Sequence, residues 1–338
     1  MNILVTGGAG FIGSHTVVEL KNAGHTPIIL DDFSNSDPSV LEGIERILGQ
    51  KVAFFQGDCT KESVLRTVFE KYSIDGVIHF AAAKAVGESV QNPLKYYDLN
   101  IGSLIRLIQV MGEFKVSKLV FSSSCTVYGE PEVIPVTEET PRKPANSPYG
   151  NTKSIAEDIL RDVIISKQDF QFIALRYFNP IGAHESAEIG ELPNGVPSNL
   201  VPYITQTAIG LREKLTIFGD NYDTPDGTNI RDFIHVVDLA KAHIAAFEYI
   251  NDKEDPFYDV FNVGSGLGNS VLELVTTFEE VNDLKLNYTI GPRRSGDTVK
   301  IYGDVSKANN LLNWKTEKTL QEALKDAWRW EQKLALKK

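Results

Sequence analysis

The chain has 338 residues, of which 42% are hydrophobic and 23% are charged, a balance typical of a globular protein with a full core. Its net charge of −11 argues against nucleic acid as a partner, because phosphate binding needs clustered cations. With two cysteines, Cys59 and Cys125, and no paired histidine spacing, we expect neither a disulfide scaffold nor a metal site. We also expect no membrane span and no secretion signal, and therefore a cytoplasmic location.

Short apolar runs alternate with helix-length segments through the first half of the chain. The predicted strands are residues 3–5, 28–30, 52–55, 77–80, 119–121 and 172–175, and helical spacing marks residues 12–23 and 101–111. Such alternation indicates βαβ units, and continuous apolar runs fit parallel strands that are buried on both faces. This half therefore predicts an α/β fold of the Rossmann type, a parallel sheet with helices on both faces.

The alternation breaks after residue 178. Segments 179–199 and 218–229 contain several prolines and glycines and predict two long loops, which are usually functional in compact enzymes. Beyond them we expect helices at 235–250 and 270–281 and a strand at 260–263. We therefore divide the chain into a first domain, 1–178, and a smaller C-terminal α/β lobe, 179–338, from which some segments return to the first domain.

A glycine-rich turn joins the first predicted strand to the first predicted helix. Gly7, Gly10 and Gly13 follow the pattern G-x-x-G-x-x-G, which lets the backbone approach a pyrophosphate at the positive end of a helix. Asp31 ends the second predicted strand, close to the spacing expected of a carboxylate that binds a ribose. Asp58 follows the third strand, where it either contacts the adenine end or stabilises a helix N-terminus.

The same region indicates which dinucleotide is bound. A 2′-phosphate needs a nearby cation, and no Lys or Arg lies between Lys21 and Arg46. The pattern therefore predicts that the first domain binds NAD rather than NADP.

A tyrosine and a lysine lie four residues apart at the start of another predicted helix. Ser147 is a suitable N-cap and Pro148 a suitable first helical residue, so Tyr149 and Lys153 share one face. We expect the cation to lower the pKa of the phenol from about 10 by roughly 1–3 pH units, which makes Tyr149 a better base. Ser124 follows the strand at 119–121, at the sheet edge where α/β proteins place their sites, and its hydroxyl can relay a proton.

Further stretches carry a resemblance to a known family. They are H-F-A-A at 79–82, K-A-V-G-E-S at 84–89, S-S-S at 122–124, T-V-Y-G at 126–129, R-Y-F-N-P at 176–180, R-D-F-I-H-V at 231–236 and R-R-S-G-D at 293–297. With them the chain resembles, almost end to end, the extended short-chain dehydrogenases/reductases and, within these, the UDP-glucose 4-epimerases. The resemblance implies NAD as cofactor, a UDP-sugar as substrate bound mainly by lobe 179–338, and a homodimer.

The resemblance also implies roles for individual residues. Tyr149 becomes the base, Lys153 sets its pKa and binds the nicotinamide ribose, and Ser124 relays the proton. The implied cofactor-binding set is Gly7, Gly10, Phe11, Ile12, Gly13, Asp31, Asp32, Phe33, Ser34, Asn35, Ser36, Asp58, Cys59, Phe80, Ala81, Lys84, Asn100, Ser122, Tyr149, Lys153 and Phe178. The implied substrate-binding set is Ser124, Tyr149, Asn179, Asn199, Leu200, Thr216, Ile217, Phe218, Arg231, Arg294, Asp297 and Ile301.

Related chemistries on the same fold remain to be distinguished. Similar sugar-nucleotide dehydratases and decarboxylases carry a Glu just after the catalytic Ser or Thr, where this chain has Thr126. Without that acid a second chemical step has no general catalyst, so the resemblance favours interconversion of UDP-galactose and UDP-glucose. The pocket-gating position is Ile301, which leaves N-acetylated UDP-sugars or another UDP-sugar as alternative substrates. A non-catalytic NAD-binding protein is disfavoured because Tyr149 and Lys153 are both present.

Overall fold

Seven parallel strands form the main sheet of the computed structural model, which describes residues 1–166, 168–254, 256–294 and 297–336. The strands in chain order are β1 (Asn2–Thr6), β2 (Thr26–Asp31), β3 (Ala53–Gln56), β4 (Gly76–His79), β5 (Lys118–Ser122), β6 (Gln171–Tyr177), β7 (Asn179–Ile181), β8 (Leu215–Phe218), β9 (Ile230–Arg231), β10 (Phe233–His235), β11 (Phe257–Val263), β12 (Asn269–Ser270), β13 (Tyr288–Gly291) and β14 (Lys300–Ile301). The main sheet has the order β11-β6-β5-β4-β1-β2-β3.

Helices connect these strands and cover the sheet. They are α1 (Phe11–Asn22), α2 (Ser39–Leu48), α3 (Glu62–Lys71), α4 (Val86–Gln91), α5 (Pro93–Tyr96), α6 (Gly102–Glu113), α7 (Pro148–Ile165), α8 (Leu200–Ala208), α9 (Val236–Asn251), α10 (Val271–Asn282), α11 (Ser306–Leu311) and α12 (Leu320–Ala335). A π-helical turn at Tyr97–Ile101 runs into α6, and a 3₁₀ turn at Cys125–Tyr128 follows β5. The predicted Rossmann-type sheet is confirmed by this topology.

Side chains of the parallel strands alternate between two apolar layers. Ile3 and Val5 pack with the helices α1, α2 and α9 on one face, whereas Leu4 packs with α3, α6 and α7 on the other. All three side chains are fully buried, as expected for a strand with both faces covered. Because parallel strands all end at the same edge, the residues that follow β1, β2, β4 and β5 converge there.

A second apolar core lies outside the main sheet. It joins β7, β8 and β10 to the helices α8, α10 and α12. Short sheets complete this lobe: β7 pairs with β10, β8 with β13, and β9 with both β12 and β14. In the register of the last pair Arg231 is opposite Ile301, so these two residues are neighbours in space.

The two halves of the chain share structure. Strand β11, from the C-terminal half, pairs in parallel with β6 along its whole length at the edge of the main sheet. Helix α9 packs against α1, the first helix of the chain. Residues that follow residue 178 join the apolar layer on one face of the sheet, among them Ile234, Phe247 on α9, and Phe261 and Val263 on β11.

The predicted elements match the structure with small shifts. The strand expected from Val52 begins at Ala53, the helix expected from Ile12 begins at Phe11, and the segment expected to be helical from Ser270 begins at Val271 with Ser270 as its N-cap. The segment 179–199 is mostly loop but opens with β7, because Asn179 to Ile181 pair with Phe233 to His235. The segment 218–229 is loop after its first residue, as predicted.

Candidate active site

Three glycines shape the turn between β1 and α1. Gly7 has a φ of +70°, and a Cβ there would lie 2.8 Å from the backbone nitrogen of Ala81. A Cβ on Gly13 would lie 2.2 Å from the carbonyl oxygen of Gly7, so helix and turn touch through backbone atoms. Gly10 is more open and directly precedes the first helical residue. The turn therefore presents bare backbone at a helix N-terminus, as a pyrophosphate site requires.

Asp31 holds the loop after β2 against this glycine turn. Its Oδ2 accepts a hydrogen bond of 3.0 Å from the Ala9 amide, and its Oδ1 accepts bonds from the Phe33 amide and the Ser36 hydroxyl at 2.9 and 2.8 Å. Asp32 accepts a bond from the Ser34 amide. The carboxylate of Asp31 therefore links the glycine turn to the loop that closes one end of the site.

A cavity of about 610 Å³ runs from this turn to α7. The predicted cofactor residues that line it are Gly7, Gly10, Phe11, Ile12, Gly13, Asp31, Asp32, Ser34, Asn35, Ser36, Asp58, Cys59, Phe80, Ala81, Lys84, Ser122, Tyr149 and Lys153. Asp58 also accepts a hydrogen bond from the Thr60 amide just before α3, so it stabilises the local turn as well. Thus most of the predicted cofactor set is brought to one elongated surface.

Three members of the predicted cofactor set lie behind the cavity lining instead. The ring of Phe33 packs on Phe54 with a centroid distance of 5.2 Å. Phe178 is buried in a small cluster that contains Ile301. Asn100 is buried in the π-helical turn, where its Oδ1 accepts a 2.8 Å bond from the Ala83 amide. The sequence pattern does not distinguish a residue that supports the lining from one that forms it.

The start of α7 places the tyrosine and lysine as the sequence predicts. The Ser147 hydroxyl caps the helix by accepting a bond from the Gly150 amide, and Pro148 occupies the first turn. Tyr149 and Lys153 are both buried and both line the cavity. The Lys153 ammonium donates a 2.6 Å hydrogen bond to the Ser122 carbonyl, which ties α7 to the end of β5.

The electrostatics of this pair correct one prediction. Burial raises the pKa of Tyr149 above its ordinary value, and the nearby Ser124 hydroxyl only partly opposes this rise. Burial also lowers the pKa of Lys153 to about 8, while the charge of Glu157 opposes that shift. The expected lowering of the phenol pKa was wrong for the protein alone, because desolvation outweighs the attraction of the lysine.

Ser124 is close to Tyr149 in space and precedes Cys125 in the chain, and Cys125 is near the C-terminal lobe. The Ser124 hydroxyl is close enough to Tyr149 to oppose in part the rise in the phenol pKa that burial causes, and it accepts a 3.2 Å bond from the Thr126 amide, which caps the 3₁₀ turn. The next residue, Cys125, is close enough to Arg231 for the guanidinium to lower the pKa of its thiol, although burial raises that pKa to about 12 overall. The 3₁₀ turn that begins after Ser124 is therefore near the cation of β9.

The predicted substrate residues occupy the second lobe beside this point. Arg231 is partly buried and donates a 2.9 Å bond to the Ile230 carbonyl. Arg294 forms an ion pair of 2.7 Å with Asp297, and its guanidinium lies 5.8 Å from the ring centroid of Phe218. Ser295 and Gly296, between these two residues, lie outside the described residues.

The other predicted substrate residues are distributed over three elements of the same lobe. Thr216, Ile217 and Phe218 form the end of β8, Asn179 begins β7 and Leu200 begins α8. Asn199 lines the cavity, and its amide donates a 2.5 Å bond to Glu191. The structure therefore brings Asn199 to the cofactor cavity and Arg231 to the vicinity of Ser124.

Sequence reasoning missed several residues of the site. Tyr177 lines the cavity and its hydroxyl shares a 2.8 Å hydrogen bond with Ser122, from a strand that follows 55 positions later. Glu191 lies between Lys84 and Asn199, with 3.5 Å to the lysine ammonium. Neither contact has a local sequence signal. Glu157 has one, because it continues the four-residue spacing of Tyr149 and Lys153.

Several buried histidine and tryptophan side chains have structural roles. His79 is buried and hydrogen-bonded to the Thr6 hydroxyl at 2.7 Å, and burial lowers its pKa to about 3. Trp314 and Trp330 are buried and hydrogen-bond to backbone carbonyls, so they pack rather than stack on a ligand. Among the described residues, no group of three or more His, Cys, Asp or Glu side chains is arranged to hold a metal ion. Within the same residues, no helix has the length and hydropathy needed to cross a membrane.

Comparison with known proteins places this geometry in a family. Residues 3–264 match the model of the NAD dependent epimerase/dehydratase family. The chain is 49% identical over 333 residues to the UDP-glucose 4-epimerase of Pasteurella multocida, with 98% of both chains covered. It superposes on the UDP-glucose 4-epimerase of Stenotrophomonas maltophila, with bound NAD and formylated UDP-arabinopyranose, at a TM-score of 0.97 and 45% identity over 100% of both chains. The enzyme from Bifidobacterium longum, in complex with NAD+ and UDP, gives a TM-score of 0.94 and 46% identity over 98% of both chains. The chain therefore belongs to the NAD dependent epimerase/dehydratase family.

Proposed function

We propose that the protein interconverts UDP-galactose and UDP-glucose by oxidation at C4, rotation of the 4-keto sugar and reduction on its opposite face. The observation that carries this proposal is that Tyr149 and Lys153 line the end of the cavity away from the glycine turn, with Ser124 beside the phenol. The relatives at 45–49% identity that are named UDP-glucose 4-epimerases support the same substrate.

The first domain, which we place at residues 1–178, fits NAD. A Cβ on Gly7 or Gly13 would fill space that the backbone turn needs, and the cavity extends from this turn to Tyr149. Asp31 and Asp32 stand at the adenosine end, where their negative charge disfavours a 2′-phosphate. The glycine turn would hold the pyrophosphate, and Lys153 would bind the nicotinamide ribose.

The chemistry needs a proton acceptor beside the sugar O4. NAD supplies a hydride acceptor and donor for C4 when it is bound, and its positive ring favours the phenolate. Tyr149 takes the O4 proton directly or through Ser124, and the same phenol returns it after the sugar has turned. Because burial raises the pKa of Tyr149, the buried charge of Lys153 is needed to make the phenolate accessible.

The C-terminal lobe, which we place at residues 179–338, supplies the grip on UDP. Arg231 and Arg294 are suited to the diphosphate, since guanidinium groups bind phosphate oxygens through paired donors. Phe218 and the preceding residues of β8 lie beside Arg294 and suit the uridine. Binding energy from this remote part of the substrate leaves the hexose free to turn.

Thr126, two residues after Ser124, favours an epimerase over a dehydratase. Thr126 stands where those related enzymes carry a Glu, and its Oγ1 is buried without a hydrogen-bond partner. An uncharged hydroxyl packed against Gly150 offers no acid for elimination of water.

We also propose that the enzyme acts as a homodimer in the cytoplasm. Helices α4 and α5 pack against α7 and leave Val90 and Leu94 exposed at 61% and 82%, and Ile105 on α6 is 40% exposed. Such side chains beside α6 and α7 are suited to burial against a second copy. The free thiols of Cys59 and Cys125 fit a reducing compartment.

The test is an assay of the purified protein with UDP-galactose and no added NAD, with UDP-glucose followed by chromatography. We expect conversion, because NAD held along the whole of this extended cavity should remain bound through purification. UDP-N-acetylgalactosamine in a parallel reaction measures the role of Ile301. Absence of conversion with NAD supplied would refute the proposed function.

A further inference from the structure

A third buried residue continues the catalytic face of α7. Tyr149, Lys153 and Glu157 are spaced by four residues, and Glu157 is only 1% exposed. An acidic side chain is rarely buried unless it is paired. Helical spacing therefore places a carboxylate on the face that carries the phenol and the ammonium.

Glu157 is fully engaged by its neighbours. Arg176 on β6 donates to both of its oxygens, with 2.9 Å from Nε to Oε1 and 2.7 Å from Nη2 to Oε2. Arg142 lies 3.7 Å from Oε2, and the Ser123 hydroxyl donates a 2.6 Å bond to Oε1. A bidentate pair of this kind compensates the desolvation of both charges and fixes their orientation.

Arg176 is in turn held by a rigid frame. Its Nη1 donates to the Tyr128 hydroxyl at 3.1 Å and to the Glu138 carbonyl at 3.2 Å. The Tyr128 hydroxyl donates a 2.6 Å bond to Asn262 on β11. Glu157 is thus anchored to β6, the 3₁₀ turn and β11, and its position does not depend on α7 alone.

Two cross-links from α7 reach consecutive residues at the end of β5. Lys153 bonds to the Ser122 carbonyl and Glu157 bonds to the Ser123 hydroxyl, both at 2.6 Å. Ser124, the next residue, carries a hydroxyl beside the Tyr149 phenol, where it partly opposes the rise in the phenol pKa that burial causes. The path of the backbone into Ser124 is therefore set by the side chains of α7.

We propose that Glu157, through Ser123, is a positioning residue that holds the Ser124 hydroxyl in line with the Tyr149 phenol for proton transfer. This inference rests on the proposed function, in which Ser124 and Tyr149 move the O4 proton. The Glu157–Arg176 pair is complete without Ser123, so stability alone does not require the hydroxyl link. A displacement of about 1 Å at reacting groups lowers a rate by roughly a hundredfold, which gives this single bond a catalytic consequence.

The decisive variant is Ser123→Ala, which removes the link and leaves both charges of the pair. Ser117→Ala is the matched control, because Ser117 precedes the same strand and its hydroxyl donates a 2.7 Å bond to Gln171 at the opposite end. We expect Ser123→Ala to lower kcat for UDP-galactose at least tenfold, with KM within about twofold and bound NAD unchanged. We expect Ser117→Ala to keep kcat within about twofold of the wild type.

The pH profile separates positioning from direct catalysis. Ser123 touches no reacting atom, so kcat of Ser123→Ala should fall at every pH while the limbs of the profile stay in place. A kcat within twofold of the wild type, with a loss of unfolding free energy equal to that of Ser117→Ala, would overturn the proposal and leave the bond a structural one.

A second variant probes the carboxylate itself. Glu157→Gln retains an acceptor for Ser123 but leaves Arg176 without its counter-charge, and we expect a lower kcat together with a lower thermal midpoint. If this variant does not fold, Ser123→Ala still decides the matter. A wild type that does not convert UDP-galactose refutes the proposed function, whereas active wild type with normal Ser123→Ala refutes the positioning role alone.

Discussion

Replacement of Gly13 by alanine tests whether the contact between α1 and the glycine turn maintains the cofactor site. The added Cβ would lie 2.2 Å from the Gly7 carbonyl oxygen and 2.8 Å from the Gly8 Cα, and both are backbone atoms. Nonbonded heavy atoms are comfortable at roughly 3.5 Å, so helix and turn must separate by about 1.3 Å. Gly7 has little room to move on the side of Ala81, because a Cβ built on Gly7 would lie only 2.8 Å from the Ala81 backbone nitrogen.

The size of the effect follows from two opposing contributions. Overpacking costs about 1–3 kcal/mol, and the better helix propensity of alanine returns about 0.5–1 kcal/mol. We expect the Gly13→Ala protein to lose about 1–2 kcal/mol of unfolding free energy. The same displacement acts on the amides beside the pyrophosphate, so NAD affinity should fall at least about tenfold, which corresponds to about 1.4 kcal/mol.

The assay measures two quantities on the same preparation: NAD released by denaturation, per protein chain, and unfolding free energy from urea titration. Gly87→Ala is the control, because Gly87 is exposed within α4 and a Cβ added there would meet no neighbouring atom within 4 Å. The control should retain NAD and gain up to about 1 kcal/mol. If Gly13→Ala retains NAD as the control does and is equally stable, the argument from backbone contact is refuted.

Four further predictions concern the reaction. Tyr149→Phe should lower kcat by about 10²–10⁴-fold, the usual range for loss of an acid–base group, with NAD still bound; near-normal turnover would exclude Tyr149 as the base. Lys153→Met should abolish most turnover yet keep the unfolding free energy within about 2 kcal/mol of the wild type. The substitution removes the hydrogen bond to the Ser122 carbonyl, but it also removes the cost of burying the ammonium, whose pKa burial lowers to about 8. Since the ammonium form exists below that pKa, wild-type kcat/KM should fall as pH rises through about 8, and a profile that rises steadily to pH 10 would contradict this role. Ile301→Tyr should lower kcat/KM for UDP-N-acetylgalactosamine more than for UDP-galactose, and an unchanged ratio would remove Ile301 as the gate.

Local chemistry explains which features the sequence predicts well. The glycine turn, Asp31 and the capped start of α7 depend on residues close in the chain, and the structure places them as expected. The pKa of Tyr149 depends instead on desolvation by a whole cavity wall, so the sign expected from the nearby lysine was wrong. A short-range pattern reports which charges are near but not how much water is excluded.

Long-range pairs account for most of what sequence reasoning missed. Glu157 on α7 pairs with Arg176 on β6, and the Tyr128 hydroxyl donates a hydrogen bond to Asn262, which is more than a hundred residues later in the chain. The resemblance implies that Phe178 lines the cofactor, but the structure buries it in a cluster with Ile301 from another segment. Such contacts follow from the sheet order, in which β11 lies beside β6, and that order has no signal in hydrophobic periodicity.

The pairing of β11 with β6 has a consequence for synthesis on the ribosome. Residues up to Tyr177 leave the exit tunnel before the strand that covers their sheet edge, and β6 then presents unpaired amides and carbonyls. Helix α9, which packs on α1, also emerges late. The nascent nucleotide-binding half is therefore an aggregation-prone species until Val263, the last residue of β11, is available, and its burden on cellular chaperones should be highest in that interval of translation.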